Sequence, residues 1–189
     1  MSMYLLRRLA GLLLALPLAL GSSAQAWELA GTKTLSLVGR DGKATAIGTV
    51  EFTTAGGQTT FRVAMNPAVM QDFFLSMREF KCLPGGTEVL CHVPYPYRNP
   101  ASVVEGDLVW LEHALLFFYK QPTDFGAKLW NGVYYQLART PQGLVGTPQA
   151  IDLNAIGAPP AQPGVPPYGK AERSDIPTGA RWFGQLLIQ

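Results

Sequence analysis

The first half of the chain alternates between apolar and polar residues in short runs. Lys33 to Val38 and Ala46 to Phe52 both have this period of two, and Arg40-Asp41-Gly42-Lys43 between them contains the Asp-Gly pair of a tight hairpin. Thr59 to Met65 alternates in the same way after a glycine-rich turn. Because sequential strands with short turns pair antiparallel, the pattern predicts a three-stranded meander.

The apolar spacing changes to that of a helix in two places. Asn66-Pro67 suits the start of a helix, which predicts a short helix from Pro67 to about Phe74. A long helix is predicted from about Val103 to Tyr119. Ser102 and Glu105 have the spacing of a capping box, and apolar residues then recur every three or four positions. Its wide apolar surface would be buried against the sheet.

The period returns to two in the C-terminal third. Leu129 to Ala138 and Leu144 to Leu153 are predicted strands on either side of a Pro-Gln-Gly turn. The proline-rich segment Gly157 to Tyr168 is predicted to be an extended strap. Arg181 to Gln189 is apolar enough to be a final strand, pairing beside an N-terminal strand and closing the sheet.

Taken together, these elements predict an α+β fold. An antiparallel, strongly curved sheet of six to eight strands, similar to an open barrel, would pack on one long helix, with a short second helix. A β-sandwich of two sheets is the alternative. Residues 27–189 would form a single globular domain, which the strap at 157–168 crosses.

The N-terminus has the three-part pattern of a secretory signal peptide. Arg7 and Arg8 precede a short apolar run, and Ala24-Gln25-Ala26 is a small-x-small cleavage site. The run is too short to span a bilayer, so the pattern predicts cleavage between Ala26 and Trp27 and export, to a bacterial periplasm or out of the cell. No membrane span is expected after the signal is removed.

Composition and charge exclude several classes of protein. With 48% hydrophobic and only 15% charged residues, the chain is too apolar for a disordered protein. The segment 1–26 carries two arginines and no acid, so the remainder is formally neutral. A neutral chain without a basic run has no electrostatic surface for nucleic acid.

The two cysteines predict a disulfide. Cys82 and Cys91 flank Pro84-Gly85-Gly86, a turn signal with apolar residues on both sides. Two cysteines in an exported chain usually pair, and here they would bridge facing positions of a hairpin. Their spacing, with only His92 and His113 to add, does not match a zinc site, so no metal is predicted.

Sequence motifs for catalysis and cofactors are missing. The chain has no Gly-x-Ser-x-Gly, no phosphate loop and no dinucleotide-binding glycine motif, which predicts no cofactor. His113 follows Glu112 directly on the predicted helix, where neighbouring side chains diverge, so a solvated or strand-capping role is expected for it. The sequence therefore favours a non-catalytic binding or accessory protein.

Five residues are the candidates for a binding site. Arg78 or Glu79 would face inward from an extended segment, and an inward arginine can hold an anionic group. Tyrosine and tryptophan are common at binding surfaces. The predicted ligand-binding residues are Arg78, Tyr95, Tyr97, Trp110 and Tyr134. The expected partner is a small apolar or anionic ligand, or an envelope protein.

Two alternatives remain open. An envelope hydrolase would use paired carboxylates, Glu79 or Glu88 together with Asp124. A structural envelope protein would use the proline-rich strap as its interaction segment. Arg78 has an internal ion pair as its alternative role, and the aromatic residues could simply cover the core.

Overall fold

The computed structural model describes residues 27–189, so the predicted signal peptide 1–26, with Ala26 at its cleavage site, lies outside the described residues. Within that range the chain is mostly antiparallel sheet, with one α-helix, α1, at Val109–His113. The strands are β1 Gly31–Gly39, β2 Ala44–Ala55, β3 Gln58–Met65, β4 Gln71–Asp72, β5 Lys81–Pro84, β6 Val89–Val93, β7 Ser102–Val103, β8 Leu116–Lys120, β9 Gly132–Thr140, β10 Gly143–Ile151, β11 Ser174–Asp175 and β12 Phe183–Ile188.

All of these strands belong to one sheet. Their hydrogen-bonded order is β4-β5-β6-β8-β9-β10-β12-β1-β2-β3-β7, and β11 pairs with β10 beside this path. The meander expected near the N-terminus is the run β1-β2-β3. The C-terminal strand β12 lies between β1 and β10, so it joins the first strands of the chain to the last long hairpin.

The strand count differs from the prediction of six to eight. The sheet has twelve strands, because β8 lies in the segment predicted to be helical, and because β4, β7 and β11 are strands of only two residues that the alternation of the sequence does not mark. The β-sandwich alternative does not describe this topology either, since the strands form one open sheet and not two.

The predicted long helix from about Val103 to Tyr119 is wrong, and with it the α+β fold. The segment divides into β7, the five-residue α1 and β8. Gly106 has a φ of 84° in the turn before α1, a conformation that ends any helix at that point. Strand β8 is buried on both faces, with Phe117 in one apolar cluster and Phe118 in the other. A strand covered on both faces has a continuous apolar run that resembles a buried helix in sequence.

The predicted short helix from Pro67 to Phe74 is also wrong. Asn66 does cap a turn: its side chain accepts the Ala68 N–H at 3.0 Å, and its carbonyl accepts the Met70 N–H at 2.8 Å. The chain then leaves this single turn, because Gln71 and Asp72 pair with β5. Strand pairing therefore overrides the capping signal after one turn.

Two apolar clusters cover the two faces of the sheet. The inner core includes Phe61 of β3 and Leu83 of β5, which come from opposite ends of the strand order. The sheet must therefore curve around this core. The outer cluster lies on the other face of β5, β6, β8 and β9, where Leu153, Ile156 and Tyr168 of the C-terminal segment pack on Leu116, Phe118 and Tyr134.

The predicted disulfide is confirmed. Cys82 and Cys91 are bonded, and they face each other in the β5–β6 register with their Cα atoms 3.9 Å apart. Both side chains are fully buried in the outer cluster. The bridge therefore closes the hairpin at the face on which the C-terminal segment packs.

Candidate functional site

Four of the five predicted ligand-binding residues gather around His113. The ring of His113 lies 6.0 Å from Tyr95, 5.8 Å from Trp110 and 5.4 Å from Tyr134, measured between centroids. Tyr97 joins the group through Tyr95, at 5.7 Å. We call these rings, together with Tyr168, the aromatic cluster.

Arg78, the fifth predicted residue, lies elsewhere. It is exposed in the irregular segment between β4 and β5, and so is Glu79. The expectation that one of them faces inward is wrong. The reason is that residues 73–80 form no strand, so the alternation of faces on which the expectation rested does not apply to them.

His113 is a buried, neutral member of the cluster and not a solvated side chain. Its Nδ1 donates to the Val109 carbonyl at 2.7 Å, which leaves Nε2 to accept the backbone N–H of Tyr168 at 3.2 Å. The Tyr168 ring stacks on the imidazole, with planes 20° apart. Burial, and then the charge of Arg173, lower the pKa of His113 to about 4. The histidine thus connects α1 to the end of the proline-rich strap.

Glu112 is held at the free edge of β9. The β8–β9 pairing ends at Tyr134, so the Leu137 N–H has no strand partner there, and it donates to Glu112 Oε1 at 2.7 Å. The Tyr134 hydroxyl donates to the other oxygen, Oε2. Burial raises the pKa of Glu112, and these two hydrogen bonds and Arg173 oppose that rise. The carboxylate is therefore fixed at both oxygens.

Arg173 lies on the other side of Tyr134. Its guanidinium carbon is 4.6 Å from the centroid of that ring, a cation–π contact, and its Nε donates to the Gly169 carbonyl at 3.1 Å. Arg173 makes no salt bridge with any residue between 27 and 189. The strap positions this side chain, since Tyr168, five residues earlier, is anchored on His113 and on the Asp152 carbonyl.

Two clefts meet at Arg173 and Gln136. The larger cleft has a volume of about 320 Å³ and lies between the turn before α1 and the free edge of β9. The smaller one, of about 270 Å³, is lined by Gln136, Gln149, Lys170, Arg173 and Asp175. In the smaller cleft Gln149 Oε1 is buried without a hydrogen-bond donor, while its Nε2 donates to Asp175 at 2.9 Å. The larger volume is at the lower end of the roughly 300–1,000 Å³ range of small-molecule pockets.

The outer wall of the larger cleft is fixed by Arg139. Its guanidinium donates to Glu105 at 3.1 Å and to the Trp27 carbonyl at 2.8 Å. The Trp27 ring packs in turn on Phe52, with centroids 6.4 Å apart. Arg139 is thereby occupied by the protein itself, unlike Arg173 on the same cleft.

The acids proposed for the hydrolase alternative are occupied elsewhere. Glu88 is buried, accepts the Trp182 N–H at 2.9 Å and pairs with Arg181 at 3.3 Å. Asp124 pairs with Lys128 at 2.9 Å and accepts the Gln121 N–H at 3.1 Å. Their geometry therefore gives them structural roles.

The described residues also bear on metal binding and membrane crossing. Between residues 27 and 189, no group of three or more His, Cys, Asp or Glu side chains is arranged to hold a metal ion. His92 hydrogen-bonds the Ala114 carbonyl through Nε2 at 3.0 Å. In that part of the chain, no helix is long and apolar enough to cross a membrane.

No family model, curated protein or solved structure matches this chain. The candidate site therefore rests on its geometry. Sequence reasoning missed Glu112 and Arg173 as candidate site residues. Glu112 had one usable signal, because it is an acid inside an otherwise apolar run. Arg173 had none, because only the folded strap brings it to Tyr134.

Proposed function

We propose that the protein is an exported binding protein that takes a small anionic ligand in the two joined clefts, with Arg173 holding the anion. The observation that carries this proposal is the position of Arg173. It borders both clefts, and no carboxylate between residues 27 and 189 pairs with it. A half-buried guanidinium that lacks a counter-ion in the protein can bind an anion from solution.

The chemistry of arginine favours a carboxylate or a phosphate. Its planar group offers parallel N–H donors that match two oxygens of such an anion. The Nε of Arg173 is used on Gly169, so its terminal nitrogens remain for a ligand. The contact with the Tyr134 face holds the guanidinium in place without neutralising it.

The site is preorganised by the aromatic cluster behind it. Burial raises the pKa of Tyr134, so the phenol keeps its proton and donates a hydrogen bond to Glu112. Tyr168 fixes the end of the strap, from which Arg173 is only five residues away. Holding these groups before the ligand arrives reduces the entropy lost on binding.

Export is the second part of the proposal. The pattern of residues 1–26 supports a cleaved signal, and the Cys82–Cys91 bridge is compatible with an oxidising compartment. Mass spectrometry of the protein recovered from the periplasm or the medium tests it. The expected product begins at Trp27, and a product that retains Met1 would contradict the proposed export.

Ligand binding is tested by isothermal titration with a panel of small carboxylates and inorganic phosphate. We expect at least one to bind the wild type and to lose roughly tenfold or more of its affinity in Arg173→Met. Arg173→Lys keeps the positive charge but loses the planar pair of N–H donors, so its affinity should lie between those of the wild type and Arg173→Met. The matched control is Arg78→Met, an exposed arginine outside the clefts. Equal affinities in the Arg173 and Arg78 variants would remove the proposed anion site.

An acid–base enzyme is a second candidate, supported by Glu112. Burial raises the pKa of this carboxyl group, which lines a cleft and accepts a hydrogen bond from a tyrosine. These properties are typical of a general acid or base. If the protein is an enzyme, a compound that binds in the clefts must be converted to a product. Mass spectrometry of that compound after incubation with the wild type and with Glu112→Gln distinguishes an enzyme from a binding protein.

A further inference from the structure

We infer that the ligand is a small zwitterion of the amino-acid class, with its carboxylate on Arg173 and its ammonium group on Glu112. This inference rests on the proposed anion site at Arg173 and adds the opposite charge. It follows from two charged side chains that border the same cleft, do not pair with each other and have no ionic partner among residues 27–189.

The first of these groups is the Glu112 carboxylate. It is 7% exposed and makes no salt bridge with any residue in the range 27–189. Both of its oxygens accept hydrogen bonds, from the Tyr134 hydroxyl and the Leu137 N–H, which is the pattern of an ionised carboxylate. Each oxygen has a further lone pair. A buried carboxylate in this state is stabilised by a cation, and the cleft is where one can reach it.

The second group is Arg173, which one phenol ring separates from Glu112. Glu112 accepts from the hydroxyl of Tyr134, and the guanidinium lies over the ring of the same residue. The two charges are thus near each other but form no ion pair. An α-amino acid, with a hydrogen bond at each end, covers a span of this kind and satisfies both groups at once.

The charges that line the two clefts have the same polarity as the Glu112–Arg173 pair, negative in the larger cleft and positive in the smaller one. In the larger cleft Glu105 neutralises Arg139, which leaves Asp107 and Glu112 as its unneutralised charges apart from Arg173. The Asp107 side chain accepts the Val109 N–H at 3.1 Å. At the other end, Lys170 and Arg173 carry two positive charges in the smaller cleft against the one negative charge of Asp175, so its net charge is positive. A dipolar ligand fits this field in one orientation, with its ammonium group in the larger cleft.

The remaining lining of the larger cleft indicates the side chain of the ligand. Besides its charged groups, Gln136 and Gly106, the cleft is lined by aliphatic residues from the N-terminal segment, the turn before α1, the start of α1, and strands β9 and β10. These are Leu29, Val104, Leu108, Val109, Leu137 and Leu144. An aliphatic side chain would bury its surface against them, which favours leucine-like over polar amino acids.

The test is isothermal titration of the exported form with four probes. L-leucine carries both charges, N-acetyl-L-leucine only the carboxylate, L-leucinamide only the ammonium group, and glycine lacks the side chain. We expect L-leucine to bind at least about tenfold more tightly than each of the other three. N-acetyl-L-leucine leaves Glu112 without a cation, L-leucinamide leaves Arg173 without an anion, and glycine leaves the aliphatic lining uncovered. Glu112→Gln and Arg173→Met should each remove most of that advantage. The matched control is Glu51→Gln, an acid outside both clefts that pairs with Arg62, and it should leave the affinity for L-leucine unchanged.

The outcomes separate the two proposals. If N-acetyl-L-leucine binds as tightly as L-leucine, and Arg173→Met weakens both, the zwitterion is wrong while the anion site stands. If no carboxylate binds in a way that depends on Arg173, both proposals are wrong. The probe series on the wild type decides the question even if Glu112→Gln, which disturbs the bonds to Tyr134 and Leu137, is too unstable to titrate.

Discussion

The backbone N–H of Tyr168 donates to His113 Nε2 at 3.2 Å, and this bond connects the end of the proline-rich strap to α1. Protonation of His113 would put a hydrogen on the nitrogen that accepts it, so the bond and a positive charge on the ring are incompatible. His113 and His92 are both buried next to α1, and burial lowers the pKa of each to about 4.

The first prediction is therefore a loss of stability in mild acid. An unfolded histidine has a pKa near 6.5, so between about pH 6.5 and 4 the unfolded chain binds more protons than the folded one. The contribution of both residues to the free energy of unfolding is complete above about pH 6.5 and falls as the pH decreases towards 4. We expect a loss of roughly 3 kcal/mol per histidine over that window.

Urea unfolding between pH 7.5 and 4.5 measures this effect. Glu112 acts with the opposite sign, because burial raises its pKa and its protonation favours the folded state in acid. His92→Gln should remove about half of the histidine contribution while leaving the strap bond of His113 and the contribution of Glu112 in place. A pH dependence of the free energy of unfolding that is the same in the wild type and in His92→Gln would contradict the neutral, buried state of His92.

The second prediction concerns the core beneath α1. Leu111 is fully buried in the inner core, so Leu111→Ala should lower the free energy of unfolding by about 2–5 kcal/mol through lost burial and a residual cavity. The matched control is Leu75→Ala, at a leucine that is 94% exposed, where a change within about 0.5 kcal/mol is expected. Chemical denaturation of both variants makes the comparison, and equal effects would mean that α1 does not close the core.

The third prediction concerns Glu88. Its carboxylate accepts the Trp182 N–H at the start of β12 and pairs with Arg181, whose guanidinium lies 3.4 Å from the centroid of Tyr119. Glu88→Ala leaves a half-buried guanidinium and a half-buried N–H without their acceptor, so a loss of about 1–3 kcal/mol is expected. Glu105→Ala, at a salt bridge with an 86% exposed carboxylate, should cost less than about 1 kcal/mol. Similar losses in thermal and urea melts of the two variants would rule out this role for Glu88.

The fourth prediction is that β12 is indispensable. It lies between β1 and β10, and Leu186 and Ile188 are fully buried. Deleting residues 181–189 would leave two long strands with open edges and uncover the inner core, so the truncated chain should aggregate or be degraded. Size-exclusion chromatography and a thermal melt test this, and a soluble truncated protein with an unchanged melting temperature would overturn it.

The strands that the sequence marks most clearly are those with one polar face. β1, β2 and β3 alternate clearly, since their outward residues are polar, and the cysteine hairpin has a turn signal between its strands. Strand β8 was not predictable in the same way. It is covered on both faces, and its apolar run has no period that separates it from a buried helix.

The site was predictable only where its residues share a local pattern. Tyr95 and Tyr97 stand out as tyrosines between prolines, and the structure brings them to His113. Glu112 and Arg173 are 61 positions apart in the chain, and their common neighbour Tyr134 is distant from both. Such a juxtaposition depends on the whole sheet and on the strap, and no local spacing encodes it.

A crystal structure of the exported form with saturating L-leucine is the most direct measurement of the central claim, that Arg173 and Glu112 bind one ligand in the larger cleft. The account predicts electron density in that cleft, with the leucine carboxylate on the terminal nitrogens of Arg173 and its ammonium group within hydrogen-bond distance of Glu112. An empty cleft at saturation, or leucine bound elsewhere with Arg173 uninvolved, would contradict it.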